Sequence, residues 1–135
     1  ILQRRVLVVD DEQSIRDFFQ EALEDTGLIQ VDTAASALEA VSCMKEGGAV
    51  PDLVVLDIRM PGLTGTAFCA ALERNRRLKR IPVIFCSGHV DQQAQQELRH
   101  LSPVAVLHKP VELAQMEETV LGALGLTAAS SGIEP

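Results

Sequence analysis

The chain has 135 residues, 47% of them hydrophobic and 23% charged, which excludes a disordered segment and supplies enough apolar side chains for the core of one ordinary domain. No apolar run approaches the roughly 20 residues that span a bilayer, so a soluble globular domain is expected, and three widely spaced cysteines read as reduced thiols make it a cytoplasmic one. A net charge of -7 also sets aside nucleic acid and anionic membranes as main partners of this domain.

Val6, Leu7, Val8 and Val9 form a continuous apolar run, which predicts a strand buried on both faces, and the run ends on Asp10, Asp11 and Glu12. Ile15, Phe18, Phe19, Ala22 and Leu23 then recur at helical spacing as far as Gly27, a residue type that ends helices. Residues 28–33 read as a weaker second strand, because Gln30 and Asp32 interrupt it as an edge position allows. Ser36 followed by Glu39 has the pattern of a capping box, and Ala37, Leu38, Val41 and Met44 give a second helix its apolar stripe before Gly47 and Gly48.

A third strand, Leu53 to Leu56 in continuous Leu and Val, ends on the carboxylate of Asp57, and Pro61, Gly62 and Gly65 mark the loop beyond it. Phe68, Ala71 and Leu72 define a third helix that closes on Arg74, Arg76, Arg77, Lys79 and Arg80. Such charges are favourable at a helix C-terminus and read as a solvated turn. A fourth strand, 81–86, tolerates Pro82 near its start and runs into Ser87, Gly88 and His89. A helix over 91–101 has a thin stripe of Ala94, Leu98 and Leu101, so it should be the most loosely held. A fifth strand, 104–107, leads to His108, Lys109 and Pro110, and Leu113, Met116, Val120, Leu121 and Leu124 mark a fifth helix. The domain is expected to occupy 1–126, with 127–135 as a flexible tail or the start of a linker.

Five strands alternating with five helices predict an α/β domain, a doubly wound parallel sheet with right-handed crossovers. Asp10, Asp11, Asp57, Ser87 and Lys109 then all lie at the carboxyl ends of strands, the rim where such sheets bind ligands. Three neighbouring carboxylates need a counter-charge, and a hard divalent cation such as Mg2+ is a natural one. An Asp carboxylate can attack phosphorus when the charge on the transferring oxygens is stabilised, and the Lys109 ammonium and Ser87 hydroxyl are suited to that task. Cys43, Cys69 and Cys86 are odd in number and set among apolar residues, so reduced core thiols are expected rather than disulfides or a metal knuckle. His89, His100 and His108 have no metal-ligand spacing.

Val8, Val9, Asp10, Asp11 and Glu12, then Asp57 with Met60, Pro61 and Gly65, then Pro82, Val83, Ile84, Ser87 and Gly88, and finally Lys109 and Pro110, together resemble the receiver domain of two-component response regulators, over about residues 4 to 124. The resemblance implies a flavodoxin-like five-stranded sheet of order 2-1-3-4-5. It implies Asp57 as phosphoacceptor, with Asp11, Asp57 and the Arg59 carbonyl on Mg2+ and Asp10 acting largely through water. It implies that Ser87 and Lys109 contact the phosphoryl group and that the Lys109-Pro110 bond is cis. The donor would be a histidine kinase or histidine phosphotransfer protein. The output would be a switch of the surface made by the fourth helix, fifth strand and fifth helix, which could also pair two copies or meet an output domain of a longer chain. The domain would assist its own phosphorylation and dephosphorylation without turning over a separate substrate.

Some positions depart from the family or modulate it. Receivers commonly carry an aromatic residue three positions before the lysine, where this chain has Val106. Arg59 reads equally as a residue that holds or shields a phosphate and as a solvated loop charge; Gly88 and His89 follow the hydroxyl, and His89 reads as an ordinary loop residue whose position could also influence water reaching an acyl phosphate. Two other readings stay open: a Mg2+-dependent phosphatase with an Asp nucleophile, which expects a second acid where Arg59 stands, and an interaction module that works without phosphorylation.

Overall fold

A computed structural model describes residues 3–45, 50–58, 65–74, 78, 80–88, 96 and 103–126. In chain order the elements are β1 (Arg4–Val9), α1 (Gln13–Glu24), β2 (Ile29–Ala34), α2 (Ala37–Lys45), β3 (Leu53–Asp57), α3 (Gly65–Glu73), β4 (Val83–Ser87), β5 (Ala105–His108) and α4 (Leu113–Ala123). All strand pairs are parallel, and the sheet order is β2-β1-β3-β4-β5, so the weaker second strand does lie at an edge. Four helices stand among the described residues. Apart from residue 96, the helix expected over 91–101 lies outside them, as do the loop holding Arg59, Met60, Pro61 and Gly62, His89 and the tail 127–135, so α4 is the fifth helix of the sequence reading.

The unbroken apolar runs are explained by two cores. Because strand side chains alternate between faces, Leu7, Val9, Val54, Leu56 and Phe85 point to one side, where Ala37, Ala40 and Met44 of α2 and Phe68 and Leu72 of α3 cover them. Val6, Val8, Leu53, Val55, Ile84 and Leu107 point to the other, beneath Phe19 and Leu23 of α1 and Met116 and Val120 of α4. Phe19, Phe68 and Phe85 are fully buried, each contributing about 1.5 to 3 kcal/mol relative to exposure. The helices on both faces leave the strand ends as the place where polar groups gather.

Local signals set the element ends. Ser36 Oγ accepts the Glu39 N–H at 3.1 Å while Glu39 Oε2 accepts the Ala35 N–H at 3.2 Å, a capping box whose returning carboxylate reaches one residue earlier than the usual form. Gly27, at φ 76, takes the left-handed conformation just beyond α1. The fourth strand begins at Val83 rather than 81, since Pro82 has no N–H to give a ladder, although its carbonyl still accepts the Val54 N–H at 3.1 Å. It extends to Ser87, and β5 likewise ends one residue later than read, at His108.

Four expected core positions are corrected. Leu38 is 78% exposed and Ala40 takes its place in the stripe of α2; Ala71 is exposed while Cys69 packs inward beside Phe68. Leu113, 49% exposed, stands at the first turn of α4 before the helix settles on the sheet. Cys43 is exposed, so only Cys69 and Cys86 are core thiols.

Candidate functional site

Each site residue is delivered by a strand end. The Asp10 N–H donates to the Ala34 carbonyl at 3.1 Å, continuing the β1–β2 ladder one residue past β1. Asp57 and Ser87 are the last residues of β3 and β4, and the Lys109 N–H donates to the Ser87 carbonyl at 2.9 Å, fixing the start of the β5–α4 loop. Asp10, Asp57 and Ser87 are the buried polar side chains among the described residues, at 1%, 5% and 1% exposure. Burying such groups is costly unless they are paired or functional, and all three stand side by side on adjacent strands.

Lys109 binds this rim together. Its Nζ lies 3.0 Å from Asp10 Oδ2, 3.3 Å from Asp57 Oδ2 and 3.5 Å from Glu12 Oε1. Burial alone would lower the affinity of this ammonium for its proton, but the carboxylates of Asp10 and Asp57 outweigh that effect and hold it above the ordinary lysine range. The group therefore stays cationic at neutral pH. Gly88 packs along the same side chain, where a Cβ would meet Lys109 Cβ at 3.8 Å, an ordinary contact.

Asp10 is fixed on three sides. Its Oδ1 accepts the Glu12 N–H at 2.9 Å, its carbonyl accepts from Arg16 Nη1 at 2.7 Å, and Oδ2 is buried next to the Lys109 ammonium without hydrogen-bond alignment. Carboxylate oxygens of Asp10, Asp11 and Glu12 lie within 4.8 Å of one another. Among the described residues the site thus sets four carboxylates, Asp57 included, against one ammonium. An all-oxygen donor set with excess negative charge and a buried oxygen that accepts no hydrogen bond fits a hard divalent cation such as Mg2+.

The structure brings together Asp10, Asp57, Ser87 and Lys109, with Asp11 exposed at the mouth. The Lys109-Pro110 peptide is cis, as expected. Val106 is half-buried and packs against the core beneath α2 and α3. Arg59 and His89 lie outside the described residues. Glu12 is the residue the sequence reading left without a role; its only signal was its place as third acid in the run after β1. Cys86 is the register partner of Asp57, and burial, foremost, pushes its thiol up to about 12, so it remains a neutral wall of the site.

Comparison with known proteins agrees with this fold. The family model for the response regulator receiver domain matches residues 6–121. The chain is 33% identical over 126 residues to the response regulator Rre1 of a Synechocystis species, covering 93% of this chain and 54% of that protein, so it spans about half of that relative's length. It is 27% identical over 124 residues to the polar-differentiation response regulator DivK of Brucella ovis, covering 92% of this chain and 98% of that protein. Among solved structures, the chemotaxis protein CheY4 of Vibrio cholerae matches with a TM-score of 0.82 at 28% identity, over 90% of this chain and 99% of that one.

Proposed function

The chain belongs to the response regulator receiver domain family of two-component systems, and from that premise we propose that it accepts a phosphoryl group on Asp57 from a histidine kinase or histidine phosphotransfer protein. The observation that carries this reading is the sharing of one partly buried ammonium between Asp10 and Asp57, at 3.0 and 3.3 Å on adjacent strand ends. The Asp57 carboxylate, at the end of its strand beside this ammonium, is the proposed nucleophile for phosphorus.

In the transfer, a carboxylate oxygen of Asp57 forms the new P–O bond as the P–N bond to the donor imidazole breaks, and the electron pair stays on the imidazole. Lys109 turns its ammonium from the carboxylates to the incoming phosphoryl oxygens. Ser87, at the end of the neighbouring strand, donates its hydroxyl to another of those oxygens. Asp11, Asp57 and the Arg59 carbonyl, with Asp10 beside them, would hold a divalent cation such as Mg2+, which when bound would neutralise charge on the phosphoryl oxygens. The site returns to its starting form when water hydrolyses the acyl phosphate, an access that Arg59 and His89, two residues beyond Asp57 and Ser87 in sequence, would modulate.

Phosphorylation adds about 1.5 to 2 negative charges beside Lys109. Closure of the Ser87-Gly88 loop on that charge would switch the surface that β5 and α4 are expected to share with the helix read from sequence over 91–101. That surface is where an output domain or a second copy would dock. Val106 is β-branched and stiff, so it cannot report the change by swinging as a large aromatic ring would. The domain, 1–126, acts in the cytoplasm as a switch and contacts neither nucleic acid nor membrane itself; 127–135 is its tail or linker.

Incubation with acetyl phosphate and Mg2+ followed by intact-mass measurement tests the proposal. The wild type gains one phosphoryl group, and Asp57→Asn or a chelated sample gains none. No gain by the wild type, or an equal gain by Asp57→Asn, would overturn it. Release of many equivalents of phosphate from a phosphoester would instead favour the phosphatase reading, and binding of a partner unchanged by Asp57→Ala would favour the interaction module.

A further inference from the structure

Glu12 opens α1 as its N-cap with extended backbone, φ -91 and ψ 118, yet its side chain makes no capping hydrogen bond. The carboxylate is used elsewhere. Its backbone N–H is pinned by Asp10 Oδ1 at 2.9 Å, and from that anchor Oε1 reaches Lys109 Nζ at 3.5 Å, across 97 residues of sequence. The same carboxylate also stands with Asp10 and Asp11 in the group of oxygens within 4.8 Å. Its side chain is 58% exposed, so it is free to turn, whereas the Asp10 side chain is 2% exposed and fixed. One exposed carboxylate therefore faces two cation positions, the ammonium and the acidic cluster.

We propose that Glu12 is a positioning residue that couples cation binding at Asp10 and Asp11 to the release of Lys109. Without a divalent cation, Glu12 helps to draw the ammonium toward the mouth of the site and adds a third carboxylate to its shell. When a cation occupies the cluster, Glu12 turns toward that charge and Lys109 is left to Asp57 and the phosphoryl group. The inference rests on the phosphoacceptor reading above and names a regulatory element within it. Electrostatics sets the size of the effect: one partly solvated charge at such distances is worth a modest factor in affinity, not an all-or-none change.

The test uses Glu12→Gln, an exposed and nearly isosteric change. Titration calorimetry with Mg2+ on the unphosphorylated protein should show binding weakened by about 3- to 10-fold. The rate of labelling by acetyl phosphate should need correspondingly more Mg2+ for half-saturation, while the rate at saturating Mg2+ stays within about twofold of wild type. A merely structural role would lower the saturated rate instead. The coupling is read from a double-mutant cycle: Lys109→Gln should strengthen Mg2+ binding, and by at least about threefold less in the Glu12→Gln background. Equal effects in the two backgrounds, unchanged Mg2+ affinity in Glu12→Gln, or no Mg2+ binding by the wild type would each overturn the inference. If Lys109→Gln does not fold, the affinity and saturated-rate comparison for Glu12→Gln decides alone. Calorimetry needs no phosphoryl transfer, so failure here with Asp57 still labelled removes the role of Glu12 and leaves the phosphoacceptor reading intact.

Discussion

Two groups of charges sit toward opposite ends of the sheet. Near the amino end, Arg5 Nη2 meets Asp32 Oδ2 at 3.1 Å, and the Arg5 N–H donates to Asp52 Oδ2 at 2.8 Å. At the carboxyl end, Lys109 meets Asp10 and Asp57 at 3.0 and 3.3 Å. Residue types and distances are alike, but burial is not: the Arg5 and Asp32 side chains are 33% and 42% exposed, against 15% for Lys109 and 2% and 6% for its partners. A solvated pair stitches β1 to its neighbours and contributes at most about 1 kcal/mol. A buried set with more acid than base carries a desolvation cost, which fits the role proposed for it in taking up a cation and a phosphoryl group.

The largest difference should appear in phosphoryl uptake. Asp57→Asn abolishes labelling by acetyl phosphate, whereas Asp52→Asn, at the other end of β3, leaves it within about twofold, as intact-mass time courses would show. Next in size is stability. Lys109→Met should cost about 2 to 4 kcal/mol by urea unfolding, because buried carboxylates lose their shared cation, and Arg5→Met about 1 kcal/mol or less. Mg2+ at about 100 times its dissociation constant should stabilise the wild type by about 2.7 kcal/mol, with no comparable gain in Asp11→Asn.

Alkaline pH sharpens the contrast further. Because the folded Lys109 binds its proton more tightly than an ordinary lysine at 10.5, its contribution to stability is fully present below about that pH. It is lost as pH rises through the higher folded value. The stability gap between wild type and Lys109→Met should therefore narrow only in strong alkali, as urea midpoints across that range would show, while the Arg5→Met gap does not change by loss of the guanidinium charge. The smallest effect concerns the thiols: iodoacetamide should modify exposed Cys43 in the native protein but not Cys69 or Cys86, both buried and raised to about 12.

Much of this was legible in the sequence because the controlling signal is local and repeated. Unbroken Val and Leu runs marked β1 and β3 as buried on both faces, and the acids that end them fell at the rim once the strands were parallel. The interrupted Gln30 and Asp32 pattern identified the edge strand. Periodicity was less reliable where a helix stripe is wide: Leu38 and Leu113 have the right spacing yet face solvent, because orientation over the sheet and not spacing alone decides burial. Cys43 misled for the same reason. The three-way sharing of Lys109 could not be read from sequence, since Glu12 and Lys109 are 97 positions apart and meet only through the crossing of the β1–α1 and β5–α4 loops. The rim can be inferred from topology, but the balance of charge within it depends on side-chain placement.

The most direct test of the central claim is to locate the phosphate. Borohydride reduction of the acetyl-phosphate-treated protein converts an aspartyl phosphate to homoserine, and tandem mass spectrometry then reads the modified position. The account predicts homoserine at position 57 alone, in Mg2+ and not in chelator. Modification at Asp10, Asp11 or Glu12 with Asp57 unchanged would contradict it.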